Sequence, residues 1–153
     1  MTKRQNTIEI KNKLINHLTI HGKKNESEKI LLKSVKELQK ISLKSSKKLI
    51  QLALVSTTPI FKLNIITQKK RKKKKQKSKI IPAFIYSQSS RISFAIKFIV
   101  ATARKKKNQT LLAKIPEEIL LSAQRKSSAI DTKKDIQKQA FLNRHLFKYY
   151  RWR

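Results

Sequence analysis

The chain has no cysteine, one glycine, three prolines, one tryptophan and only eight acidic residues among 153. Each shortage excludes something. Without cysteine there is no disulfide framework and no thiolate metal site, and nothing points to an oxidising compartment. The single glycine, Gly22, rules out a Gly-rich loop wrapped around a phosphate. The longest apolar run, Leu49 to Val55 broken by Gln51, is far short of the roughly 20 residues that span a bilayer. The opening Met1-Thr-Lys-Arg-Gln-Asn has no apolar signal core, so an intracellular chain without a presequence is expected.

What the chain does have is cationic charge: 39 Lys and Arg give a formal net charge of +31. Self-repulsion at this density opposes a compact state unless a polyanion neutralises it. The partner is therefore expected to be nucleic acid or an anionic membrane surface. With 39% hydrophobic residues there is material for one modest core, hence one domain over residues 1–153. Heavy use of Lys, Ile and Asn fits an A+T-rich genome such as an organelle's.

Hydrophobic spacing predicts a mostly helical fold. Over Ile8 to Ile20, the residues Ile10, Leu14 and Leu18 recur at the helical period, and Gly22 is expected to close this helix as its C-terminal cap. Asn25 to Ile41 opens with Asn25 and Glu28 at capping-box spacing and places Ile30 or Leu31, Val35 and Leu38 on one face. Ser46 to Val55 is a third helix, stopped by the cluster ending at Pro59. The period then changes to two: Phe61, Leu63 and Ile65 alternate with Lys62 and Asn64, and Ile81 to Tyr86 offers a second arm. Residues 60–86 thus read as a β-hairpin with a basic tip from Gln68 to Lys79, whose like charges repel unless a partner neutralises them. A fourth helix, Ser90 to Lys106, is expected at the centre of the core. A fifth follows Thr110, with Pro116 kinking it or marking its start, and a sixth begins at Thr132 and ends in Phe147, Tyr149, Tyr150 and Trp152. The expected fold class is mainly α, a bundle of about six helices with a β-hairpin arm between the third and fourth.

Catalytic readings lack parts. His17 and His21 are four apart but have no third metal ligand near them in sequence. Glu117 with Glu118, and Asp131 with Asp135, read as helix-start charges rather than as an acid/base pair. No enzyme, metal or cofactor is expected. The basic residues, in contrast, cluster at ends and loops: Lys3 and Arg4, Lys23 and Lys24, Lys69 to Lys79, Arg104 to Lys107, Lys133 and Lys134, and Arg151 to Arg153. Contacts to about six to ten phosphates would make binding fall on the order of a thousandfold over a fourfold rise in salt. Such contacts position a protein without reading base sequence.

Several segments together resemble the small-subunit ribosomal protein seven family. Asn16-His-Leu-Thr-Ile-His-Gly22-Lys23-Lys24, followed by Glu28, is similar to its first helix and turn. Arg91, Ala95, Lys97, Phe98, Ile99, Val100, Ala103 and Arg104 resemble its fourth helix; Glu118, Ala123, Lys126 and Ala129 its fifth helix and the turn after it. Ala140, Asn143, Arg144, Phe147, Tyr150, Arg151 and Trp152 resemble its ending. Ser90, Pro116 and Ser127 depart from the pattern, standing where Arg, a helix former and Gly are usual, and one residue is gained either between Asp135 and Asn143 or between Arg144 and Phe147.

The resemblance implies a structural protein that binds the 3′ major domain of small-subunit ribosomal RNA and organises the subunit head, with neighbouring small-subunit proteins as further partners. Its hairpin is expected near the exit-site tRNA and the mRNA path. Lys23, Lys24, Arg91, Lys97, Arg104, Lys133 and Arg144 are implied as phosphate contacts. The basic clusters add Lys3, Arg4, Lys105, Lys134 and Arg151, and the arm adds Lys69, Lys70, Arg71, Lys72, Lys73, Lys74, Lys75, Lys77 and Lys79. The short ending and the enlarged tip resemble organelle-encoded members, mitochondrial before plastid or bacterial. No membrane span and no homo-oligomer are expected. Charge alone also permits a generic chromatin-like polycation, for which duplex DNA and RNA would bind alike.

Overall fold

The computed structural model describes residues 3–42, 45–67, 78–107 and 110–149. Six helices and one hairpin follow in the order α1 (Lys3–Leu18), α2 (Lys24–Ile41), α3 (Ser46–Thr57), β1 (Phe61–Thr67), β2 (Ser78–Phe84), α4 (Gln88–Lys105), α5 (Leu111–Ala123) and α6 (Ser128–Leu142), and a 3-10 turn, Arg144–Tyr149, closes the series. The predicted architecture, helices interrupted by an antiparallel hairpin between the third and fourth, is the one observed.

Among the helix boundaries that differ from expectation, the end of α1 and the starts of α2 and α6 have local reasons. α1 ends at Leu18, before Gly22, because the Arg104 guanidinium donates to the carbonyls of His17 and Leu18 at 3.2 Å each. A cation on the terminal carbonyls replaces the glycine cap and opposes the negative end of the helix dipole. His21 (φ 52°) and Gly22 (φ 75°) then reverse the chain in the left-handed region. The Asn25–Glu28 capping box does not form: α2 starts at Lys24, Asn25 is already inside its first turn, and the Glu28 carboxylate lies 2.8 Å from Lys11 Nζ on α1. α6 begins at Ser128 rather than Thr132, since Ser127 caps it, accepting from the Ala129 amide at 2.9 Å.

The core is built by α1 to α5, with Leu14, Leu18, Leu31, Leu38, Leu54, Ile96, Ile99, Val100 and Ile119 among its buried members and Ala129 of α6 joining them. α5 packs against α2, α3 and α4. Pro116 lies inside α5 rather than at its start. Lacking an N–H, it leaves the Leu112 carbonyl one turn earlier without its helical donor. The buried Ser34 hydroxyl on α2 supplies a substitute at 3.4 Å, so the break in α5 becomes a point of attachment between two helices.

The hairpin runs in register from Phe61↔Phe84 to Thr67↔Ser78. Pro82 is tolerated in β2 because each strand of a two-stranded sheet has an edge that needs no donor. At the base, Phe147 of the 3-10 turn stacks on Phe84 (centroids 5.3 Å apart, 16° between planes) and meets Phe61 at 5.7 Å. Phe61 and Phe84 touch at 4.6 Å. The end of the chain thereby holds the foot of the arm, while Tyr150 and Trp152 of the expected aromatic ending lie outside the described residues.

Candidate nucleic-acid interface

All the carboxylates of the chain sit on α1, α2, α5 and α6; from Leu38 to Pro116 there is none, although that stretch carries more than half of the Lys and Arg. Seven of the eight are ion-paired. Glu9 meets Lys13 at 2.7 Å, Glu28 Lys11 at 2.8 Å, Glu37 Lys40 at 3.1 Å, Glu26 Lys29 at 3.3 Å and Asp131 Lys134 at 3.4 Å. Lys13 holds the Glu9 carboxyl below its ordinary pKa, and Lys11 does the same for Glu28.

The remaining two are the Glu117–Glu118 pair, which α5 carries in its middle rather than at its start. Both reach Lys106 at 3.1 Å, and Glu118, 1% exposed, also accepts from the Ser127 hydroxyl. Burial works against the charge on Lys106, but the two carboxylates outweigh it and its pKa lies above the usual lysine value. This buried Lys–Glu–Ser group joins the end of α4 to the α5–α6 turn.

The expected phosphate contacts fall into three groups. Lys23, Lys24, Lys79, Lys97, Lys105 and Arg144 are exposed on the turn after α1, β2, α4 and the 3-10 turn; the Arg144 guanidinium rests over the Phe141 ring, 5.1 Å from its centroid. Arg91, Arg104, Lys133 and Lys134 also serve the fold. Arg91 donates to the Ile85 carbonyl at 2.7 Å at the junction of hairpin and α4, Arg104 caps α1, Lys133 donates to the Ser56 carbonyl at 2.8 Å near the end of α3, and Lys134 pairs with Asp131. Burial first, then Arg125, holds the Lys133 pKa below normal. Lys3 and Arg4 lie in the first turn of α1. Arg71, Arg151 and the lysines at 69, 70, 72–75 and 77 lie outside the described residues.

The structure brings Lys97 and Arg104 of α4 to His17 of α1. Burial, then these two cations, lower the His17 pKa, and its Nε2 lies 3.5 Å from Ser93 Oγ. Sequence reasoning missed a groove beside this cluster: Phe61, Lys62, Leu63 and Asn64 of β1 face Phe94, Lys97 and Phe98 of α4, with Ile136 of α6 at the floor. Its signal was available in the alternation Phe61-Lys62-Leu63-Asn64, but not which helix would cover it. Among the described residues no His, Cys, Asp and Glu converge as a metal site, and no helix is long and apolar enough to cross a membrane.

Residues 1–144 match the family model described as Ribosomal protein S7p/S5e. The small ribosomal subunit protein uS7 of Wigglesworthia glossinidia brevipalpis is 29% identical over 94% of this chain and 87% of its own length. The small ribosomal subunit protein uS7m of Reclinomonas americana is 29% identical over 92% of this chain and 83% of its own. Over a shorter stretch of 60 residues, the uS7 of Pseudothermotoga lettingae reaches 42% identity.

Proposed function

Since the chain belongs to the ribosomal protein S7p/S5e family, and is thus a structural, non-enzymatic part of the small ribosomal subunit, we propose that it binds the 3′ major domain of the small-subunit ribosomal RNA and organises the subunit head. In this reading residues 1–153 form one RNA-binding domain and residues 60–86 its arm, reaching toward the exit-site tRNA and the mRNA path. The observation that carries it is the acid-free span from α3 through the hairpin to α4. Lys79, Lys97 and Lys105 are exposed there and, among the described residues, have no carboxylate partner. Cations left without internal counter-charges are what a polyanion backbone neutralises. The setting in this reading is a mitochondrial ribosome, the uS7m relative being as similar as the bacterial one.

The test is the affinity of the purified chain for a 3′ major domain RNA fragment against unrelated structured RNA and duplex DNA, at two salt concentrations. A preference of about a hundredfold that survives the higher salt is expected. Equal binding that collapses with salt would contradict it and leave a generic polycation.

A further inference from the structure

We infer that the groove between the hairpin and α4 is a seat for one unpaired base of the bound RNA, a proposal that rests on the ribosomal RNA reading above. The groove encloses about 270 Å³, near the lower end of small-molecule pockets. Three half-buried aromatic rings line it, Phe61, Phe94 and Phe98, the last two tilted 46° to each other with centroids 6.5 Å apart. Phe98 packs against the core, whereas Phe94 stands outside the core cluster. Across the groove the half-buried Asn64 carboxamide offers an NH2 donor beside a carbonyl acceptor, a pairing that the edge of a base can complement. Lys62 and Lys97 stand on opposite walls, from β1 and α4, and among the described residues named in its lining there is no carboxylate.

An apolar slot bounded by cations fits a ligand with a flat uncharged body on an anionic backbone. A nucleotide has that form, and bases turned out of loops and bulges stack on aromatic side chains in this way. An acidic peptide would meet the charge of Lys97 but has no flat body for Phe94.

Three single variants of the full chain test this. Phe94→Leu keeps apolar bulk and removes the stacking face; it should weaken binding to the 3′ major domain fragment about tenfold with the salt slope unchanged. Lys97→Gln should lower that slope by about one. Phe94→Trp, made in a Trp152→Phe background, should lose emission when RNA fills the groove. Unchanged affinity of Phe94→Leu, or unchanged emission of Phe94→Trp at saturating RNA, would overturn the proposal. Should the parent chain show no preference for ribosomal RNA, the ribosomal reading fails separately. The emission of Phe94→Trp with a single-stranded oligonucleotide then decides the groove: quenching supports a base seat, and its absence refutes one.

Discussion

Helices α1, α2, α5 and α6 carry every carboxylate of the chain, seven of the eight within 3.4 Å of a lysine, whereas α3, the hairpin and α4 carry none. In the flanks nearly every carboxylate is matched to a lysine. The middle has no carboxylate to match: Arg104 and Lys97 both press on His17, and Lys97 and Lys105 of α4 and Lys79 of β2 are exposed. The difference separates residues that make the fold from residues that use it. Most of the flanking pairs are exposed and contribute little stability each, but they reduce repulsion where they form, whereas the acid-free span holds no carboxylate of its own to set against its cations.

The largest expected break in this contrast is at Glu118. Replacing it by Ala strips the Lys106 ammonium of a buried partner and leaves the Ser127 hydroxyl without its acceptor. A loss of about 3 kcal/mol is expected from removing one side of a buried pair, read by chemical denaturation, with Glu118→Gln losing less. Phe147→Ala tests the join between flank and middle. The half-buried ring it removes touches both hairpin strands, so a loss of about 2 kcal/mol should come with faster hydrogen exchange across β1 and β2, the helices staying protected.

The smallest effect lies at His17. Burial, followed by Lys97 and Arg104, holds its pKa below the ordinary value of 6.5. A group with a depressed pKa in the folded state contributes stability that is full above its unfolded pKa and is lost as pH falls through the folded one. Stability should therefore decline as the solution is acidified below about pH 6.5, and His17→Gln should flatten that decline. Lys97→Gln should make it shallower and slightly stabilise the free chain. A Lys97→Gln variant less stable than its parent would show that this lysine belongs to the fold after all.

Much of this was legible from residues alone. The stripe Leu14, Leu18, Leu31, Leu38, Ile96 and Ile99 announces helices because a 3.6-residue period survives any tertiary arrangement. The hairpin announces itself in the alternation after Pro59. What the sequence hides is whatever depends on partners far along the chain. Gly22 looks like a cap, but Arg104 supplies the cap from 82 positions away in the sequence. Asn25 and Glu28 have capping spacing, but Lys11 claims Glu28. Glu117 and Glu118 resemble helix-start charges until α4 brings Lys106 to them. The break at Pro116 is visible in the sequence, whereas its remedy, Ser34, is not. The same holds at the interface: clusters of Lys are evident, yet nothing local distinguishes Lys133, committed to the Ser56 carbonyl, from Lys97, which is exposed.

The most direct measurement compares two triple variants by their RNA affinity as a function of salt. One, Lys79→Gln, Lys97→Gln and Lys105→Gln, removes exposed cations of the acid-free span; the other, Lys29→Gln, Lys40→Gln and Lys134→Gln, removes cations paired in the flanks. With the 3′ major domain fragment, the first should reduce the slope of log affinity against log salt by about two to three, and the second by less than one. Equal reductions would contradict the division between the ion-paired lysines of the frame and the RNA-facing cations of the middle.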